Sequence, residues 1–335
     1  MSQPGNPEAL PREAASVFLT FENNALLPRL FGEHDQHLSR IEQELGVAVS
    51  SRGNRVAIAG DAQAAAAARG VLEKLYRRLA SGGAVTGGDV DAALRLARQG
   101  VAPGEADEVV RTPKRHIAAR SLTQGRYLKS MRRHELVFGV GPAGTGKTYL
   151  AVAQAVAMLT AGEVDRIVLS RPAVEAGERL GFLPGDLREK VDPYLRPLYD
   201  ALHDMMPGEK VNRRLADGDI EVAPLAFMRG RTLTSAFVIL DEAQNTTPVQ
   251  MKMFLTRLGE NSRMVVNGDL SQVDLPQGAE SGLAHAIKVL EGVEGTDVVT
   301  FTNADVTRHG LVTRIVKAYE GHEAQARTGR PARKA

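Results

Sequence analysis

The eight residues Gly141-Pro142-Ala143-Gly144-Thr145-Gly146-Lys147-Thr148 constrain this chain more than any other feature. Glycines at positions 141, 144 and 146 let the backbone turn its N–H groups inward, in conformations where a Cβ would clash. The run Glu135–Val140 before them reads as a buried strand, and Tyr149–Thr160 after them reads as a helix. Strand, glycine loop and helix N-terminus in that order form an anion cradle, and Gly-x-x-x-x-Gly-Lys-Thr is the pattern of a phosphate-binding loop. In such a loop Lys147 neutralises the β- and γ-phosphates of a nucleoside triphosphate, and the Thr148 hydroxyl ligates Mg²⁺. Residues Gly141 to Thr148, with Tyr149, are the predicted nucleotide-holding set.

A second requirement follows about ninety residues later. The apolar run Phe237–Leu240 ends in Asp241-Glu242-Ala243-Gln244. Adjacent carboxylates at a strand end can divide two tasks: Asp241 holds Mg²⁺, through water, and Glu242 polarises the attacking water. Further strand candidates are Arg166–Leu169, Ile220–Val222, Met264–Asn267 and Val298–Phe301, with helical stretches between them. That alternation predicts a parallel sheet covered on both faces, an α/β fold. Gln272, in Asn267-Gly-Asp-Leu-Ser-Gln272, then lies on the same sheet edge as a sensor of the γ-phosphate, or is part of a polar turn. Gln124 carries an amide able to read an adenine edge, although the local pattern by itself favours a surface glutamine. Arg308 follows the last strand and is suited to stabilising charge on the γ-phosphoryl group or to a plain ion pair. Arg229 and Arg231 end a strand-to-loop turn, as phosphate contacts for a nucleic acid or as solvated arginines.

Composition removes several alternatives. There are no cysteines, so disulfides, cysteine-ligated zinc and thiol catalysis are excluded. The net charge of +2 gives no overall attraction to nucleic acid, and aromatic residues at 4% leave little for extensive base stacking. His34 and His37 are the closest histidine pair, in a polar stretch that does not suggest a metal site. No signal-like segment and no run of eighteen apolar residues is found, so a cytoplasmic protein without membrane association is expected.

The chain divides into a disordered start at 1–14, a small domain at 15–82, a linker with one short helix at 83–110, the phosphate-loop domain at 111–320, and a basic flexible tail at 321–335. The small domain reads β-α-β-β-α. Val17–Phe21 alternates as a strand, and Asn23–Leu45 is a helical stripe interrupted near Gly32. A hairpin turns around Ser50–Arg55, and Asp61 caps an alanine-rich helix.

The residues in 111–320 resemble the PhoH-like family. The resemblance rests on GPAGTGKTYLA from Gly141, RPAVEAGERLGFLPGDLREKVDPYLRPLYDAL from Arg171, PLAFMRGRTL from Pro224, DEAQNTTPVQMKMFLTRLG from Asp241 and GDLSQVDLP from Gly268. It implies a RecA-like core similar to the first domain of superfamily 1 helicases. It also implies Gln124 as the adenine reader, Gln272 as the γ-phosphate sensor and Arg171 as a nucleic-acid contact. Arg308 is the candidate arginine finger; with no second such sheet after Glu320, it would act from another subunit of a homo-oligomer, and a hexameric ring is expected. The first block is similar to a KH-like RNA-binding module, but its Gly32-Glu33-His34-Asp35 lacks the second glycine of the RNA-gripping loop. The resemblance therefore implies an RNA-associated, Mg²⁺-dependent ATPase, helicase-like, acting in ribosomal RNA maturation or stress response with a YbeY-type endoribonuclease. The alternative is a nucleotide-gated adaptor with slow hydrolysis.

Overall fold

The computed structural model describes residues 14–100, 108–172, 187–276 and 278–307, together with positions 312, 315, 318 and 319. Residues 1–13, the tail 321–335 and Arg308 lie outside the described residues.

The first block is built on a three-stranded antiparallel sheet of order β1-β3-β2. Its strands are β1 (Ala14–Thr20), β2 (Ala48–Arg52) and β3 (Arg55–Asp61). Between β1 and β2 run α1 (Leu27–Phe31) and α2 (Gln36–Leu45), and α3 (Ala62–Ala80) follows β3. Alternation sends Leu19, Val56 and Ile58 inward against Leu30, Ile41 and Leu72 of the helices, forming one apolar core. The Asp61 carboxylate accepts from the N–H groups of Gln63 and Ala64 at 3.0 and 3.3 Å, which starts α3 as expected. The interruption near Gly32 is real: His34 and Asp35 both adopt left-handed conformations, with φ of 51° and 57°.

One expectation is corrected. The short helix α4 (Gly87–Arg98) does not sit in a linker. Its Val90, Ala93 and Leu94 are buried in the same core, against α3. The helix is amphipathic, and its small apolar residues were too few to reveal that packing by pattern alone.

The second unit opens with a two-stranded hairpin, β4 (Val109–Arg111) and β5 (His116–Ala118), and then α5 (Leu122–Arg133). Its centre is a six-stranded sheet of order β11-β6-β10-β9-β7-β8. The strands are β6 (Leu136–Val140), β7 (Arg166–Arg171), β8 (Ile220–Pro224), β9 (Ala236–Leu240), β10 (Arg263–Gly268) and β11 (Thr296–Thr300), all parallel. The α/β class expected from the alternation is thus the one observed. One face is covered by α5, α6 (Lys147–Ala161) and α7 (Leu187–Met205); the other by α9 (Pro248–Leu255) and α10 (Gly282–Val289). Helix α8 (Gly208–Asp217) flanks β8. No described helix is long and apolar enough to cross a membrane.

The glycine-loop strand β6 and the carboxylate strand β9 are not neighbours; β10 lies between them. Under this region sits a buried polar pair, the Tyr127 hydroxyl donating to Asn267 Oδ1 at 2.6 Å. Gly139 of β6 is where that pair needs room, since a Cβ there would stand 2.5 Å from Asn267 Oδ1 and 3.0 Å from the Tyr127 ring. Gly139→Ala should therefore destabilise the fold by about 1–3 kcal/mol through overpacking. Urea unfolding checks this, and an unchanged midpoint would contradict the packing described.

Candidate functional site

The loop after β6 owes its shape to its glycines. Gly144 and Gly146 have φ of 81° and 82°, and Gly141 has φ of 146°. A Cβ on Gly141 would stand 2.4 Å from the Phe301 carbonyl oxygen, so only glycine fits beside β11. Lys147 begins α6, and its Nζ donates to the carbonyls of Gly141 and Pro142 at 2.6 and 2.9 Å. Burial pushes its ammonium below the usual range, against the opposing pull of Asp269, Asp241 and Glu242.

The two sequence motifs meet. The Thr148 hydroxyl donates to Asp241 Oδ1 at 2.6 Å, across the intervening strand. Burial raises the Asp241 carboxyl above its usual range, an effect that the Thr148 hydrogen bond reduces without cancelling. Glu242 follows with φ of 52°, a left-handed conformation that costs a non-glycine residue of order 1–3 kcal/mol and belongs to sites where placement matters. Both its oxygens are held: Arg171 pairs with Oε1 at 3.3 Å and the Gln244 amide donates to Oε2 at 2.6 Å.

Asp269 and Gln244 are the residues that sequence reasoning missed. Asp269 Oδ2 accepts from the Ala143 N–H of the loop at 3.1 Å and from the Gln272 amide, while Oδ1 takes the Ser271 hydroxyl and N–H. Burial alone would raise its carboxyl, but these hydrogen bonds, led by Ser271, hold it below the usual carboxylate range. Gln244 donates to the Gln272 carbonyl at 3.1 Å and accepts from the Asp269 N–H at 3.0 Å. The ends of β6, β9 and β10 are thereby wired together. The signal was available in the polar run after Asn267, but nothing in spacing says which of its residues turns toward the loop.

Together these groups line a cleft of about 260 Å³ containing Lys147, Thr148, Asp241, Glu242, Asp269 and Gln272. Gly144, Gly146 and Tyr149 join it to a larger cleft of about 760 Å³. Gln124 lines the second cleft and is 3% exposed, so it is not a surface glutamine. Its amide donates to the Thr145 carbonyl at 2.9 Å and accepts from the Arg120 N–H at 2.7 Å.

The chemistry fits a nucleoside triphosphate with Mg²⁺. Among the described residues no group of three His, Cys, Asp or Glu side chains could cage a metal. Mg²⁺ at such sites needs only one or two protein oxygens besides phosphate and water, and Thr148 and Asp241 offer that set. The cradle of positive-φ glycines supplies the anion side.

Two residues predicted as nucleic-acid contacts are held by acidic partners. Arg171 is engaged by Glu242 and by the Tyr194 carbonyl at 3.0 Å. Arg231 makes a bidentate pair with Glu221 at 2.7 and 2.7 Å, which raises its guanidinium above the usual value. Both are acid-paired because a partly buried cation needs a partner. Arg229 is exposed. Arg308 cannot be placed, being outside the described residues.

Raised burial of Asp241 has a pH consequence. The folded state keeps that proton to higher pH than the unfolded chain, so it binds more protons across the interval and stability falls as pH rises through it. Asp241→Asn should flatten this decline in the nucleotide-free protein and abolish stabilisation by MgATP. Thermal melts across pH, with and without MgATP, read both effects; an unaltered pH profile would show that Asp241 is not the group responsible.

Compared with known proteins, residues 116–320 match the model of the PhoH family, described as PhoH-like protein. A PhoH-like protein of Bacillus subtilis is 48% identical over 296 residues, covering 87% of this chain and 93% of its own length. One from Mycobacterium tuberculosis is 49% identical over 302 residues, covering 89% and 86%. Protein PhoH of Escherichia coli is 48% identical over 205 residues, covering 61% of this chain and 58% of its own. Among solved structures, the Sulfolobus solfataricus SWI2/SNF2 ATPase core in complex with double-stranded DNA overlaps 60% of this chain and 46% of its own, at 14% identity and a TM-score of 0.33, too distant to argue from.

Proposed function

Because this chain belongs to the PhoH-like family, we propose that it is a Mg²⁺-dependent ATPase that works on RNA. One observation carries the ATPase reading: the hydroxyl and the carboxylate required by one metal ion already touch, Thr148 Oγ to Asp241 Oδ1 at 2.6 Å, beside a lysine-bearing phosphate cradle. Bound Mg²⁺ would neutralise charge on the β- and γ-phosphates. The chain's own residues do the rest. Lys147 exchanges its loop carbonyls for phosphate oxygens. Glu242, gripped on both carboxylate oxygens, orients the attacking water and takes its proton. Gln272, tied to Asp269, reports the γ-phosphate to the Gln244–Glu242 pair. Gln124 keeps one N–H and one lone pair spare, and these complement the N7 acceptor and N6 donor of adenine but not the two acceptors of guanine. Arg308 would complete charge stabilisation from a neighbouring subunit of a ring.

RNA is favoured as the effector by the KH-like arrangement of the N-terminal sheet and helices and by the exposed Arg229. The turn Glu33-His34-Asp35, exposed and doubly acidic, points instead to protein docking for that part of the block, and a YbeY-type endoribonuclease is the proposed partner.

Lys147→Ala should abolish ATP turnover, and Glu242→Gln should retain MgATP while slowing hydrolysis by about 10²–10⁴-fold. Single-turnover assays on purified protein test both; wild-type rates in either variant would remove that residue from its role. Titrating the ATPase with RNA tests the effector. Stimulation supports an RNA-driven ATPase, and a flat response supports the nucleotide-gated adaptor.

A further inference from the structure

The nucleotide cleft has two walls, and only one belongs to the phosphate-loop unit. The 760 Å³ cleft is lined on one side by Gln124, Gly146 and Tyr149, and on the other by Arg78, Thr86 and Asp89 of the N-terminal block. Gly146 and Tyr149 also line the phosphate cleft, so the larger space is where the base and ribose of a bound nucleotide must extend.

The contact between the walls is organised around one buried acid. Asp89 is 7% exposed. Its Oδ2 completes the α4 capping box with the Thr86 N–H and hydroxyl at 3.0 and 2.7 Å. Its Oδ1 faces two guanidiniums, Arg120 at 3.3 Å and Arg78 at 3.6 Å. A carboxylate so little solvated needs such partners, and removing one leaves charge uncompensated. Arg78 also donates to the His116 carbonyl at 3.4 Å, so it bridges α3 to the β4–β5 hairpin. From Arg120 the line continues: its N–H donates to Gln124, and Gln124 donates to the Thr145 carbonyl inside the phosphate loop. A second tie runs from Arg95 of α4 to the Val306 carbonyl at 3.3 Å, one residue from Thr307, whose N–H donates to the Gly144 carbonyl at 3.0 Å.

We propose that the N-terminal block is a working part of the nucleotide site: it closes the base end of the cleft, and Asp89, acting through Arg120, is a positioning residue for Gln124, so that purine binding and docking of the block form one coupled equilibrium. This rests on the assignment of the P-loop as a nucleotide site. The coupling is reciprocal, because whatever favours the docked block favours the purine by the same factor. Through Arg120 and Arg78 it acts on the base end of the ligand, at Gln124, while the separate Arg95 tie toward the phosphate loop stays in place.

That asymmetry supplies the test. Full-length protein is titrated with ATP, GTP and inorganic tripolyphosphate, each with Mg²⁺, in wild type, Arg120→Met and Arg78→Met. Both variants should bind ATP about tenfold more weakly, a factor typical of coupling between sites. Arg120→Met should also lose the preference for ATP over GTP, while tripolyphosphate affinity stays within twofold of wild type. Equal loss of ATP and tripolyphosphate, or unchanged ATP affinity and base preference in both variants, overturns the coupling. Wild-type protein that binds neither ligand would instead sink the nucleotide-site assignment beneath it. Hydrogen exchange gives a readout without substitution: ATP should protect amides of residues 82–98 and tripolyphosphate should not, and identical protection by both contradicts the proposal.

Discussion

The hydrogen bond between Thr148 and Asp241 joins two sequence segments that have no contact along the chain and no shared ladder in the sheet. It exists because β10 is inserted between β6 and β9, which sets the two loops one strand apart at the same sheet edge. Parallel strands place all their C-terminal ends on one side, and ligands of such sheets bind there. Lys147, Glu242, Asp269 and Gln272 each take their position from that edge. Removing the glycines of the loop or the small Gly139 beneath it disturbs the edge itself rather than a single side chain.

Desolvation is the common electrical theme of the site. Lys147 and Asp241 are both pushed toward their neutral forms by burial, and neither carries a full solvation shell to lose when phosphate and metal arrive. Asp269 goes the other way, because four hydrogen bonds, from the Ser271 hydroxyl and N–H, the Gln272 amide and the Ala143 N–H, favour its charge. One carboxylate is thus kept for structure and another is left in need of a cation. The Arg171–Glu242 pair shows the same logic at the edge of the cleft, where a cation first read as a nucleic-acid contact serves the carboxylate beside it.

Much of this was legible in the sequence. The loop and the Asp-Glu pair carry their own geometry, since their glycines and strand flanks allow little else. All six sheet strands were visible as short runs, and the four central ones, β6, β10, β9 and β7, most clearly, because strands buried on both faces leave no polar alternation to confuse the reading. Strand order was not legible, since insertion of β10 depends on packing across the whole sheet. The burial of Gln124 and Asp89 was hidden for a related reason: each is a polar residue whose partners, Thr145 and Arg120 among them, lie on other elements. The solvated look of Arg231 misled because Glu221, ten residues earlier, is its neighbour only once β8 is formed. Helix α4 was read as linker because its flanks are glycine-rich, although those glycines mark only the turn into it.

Both motifs of the site converge on a single metal position. Crystals grown with a non-hydrolysable ATP analogue and Mn²⁺ should show one anomalous peak bonded to Thr148 Oγ and the phosphates, with Asp241 in contact directly or through one water. A peak remote from both side chains, or a nucleotide bound away from Lys147, would contradict it.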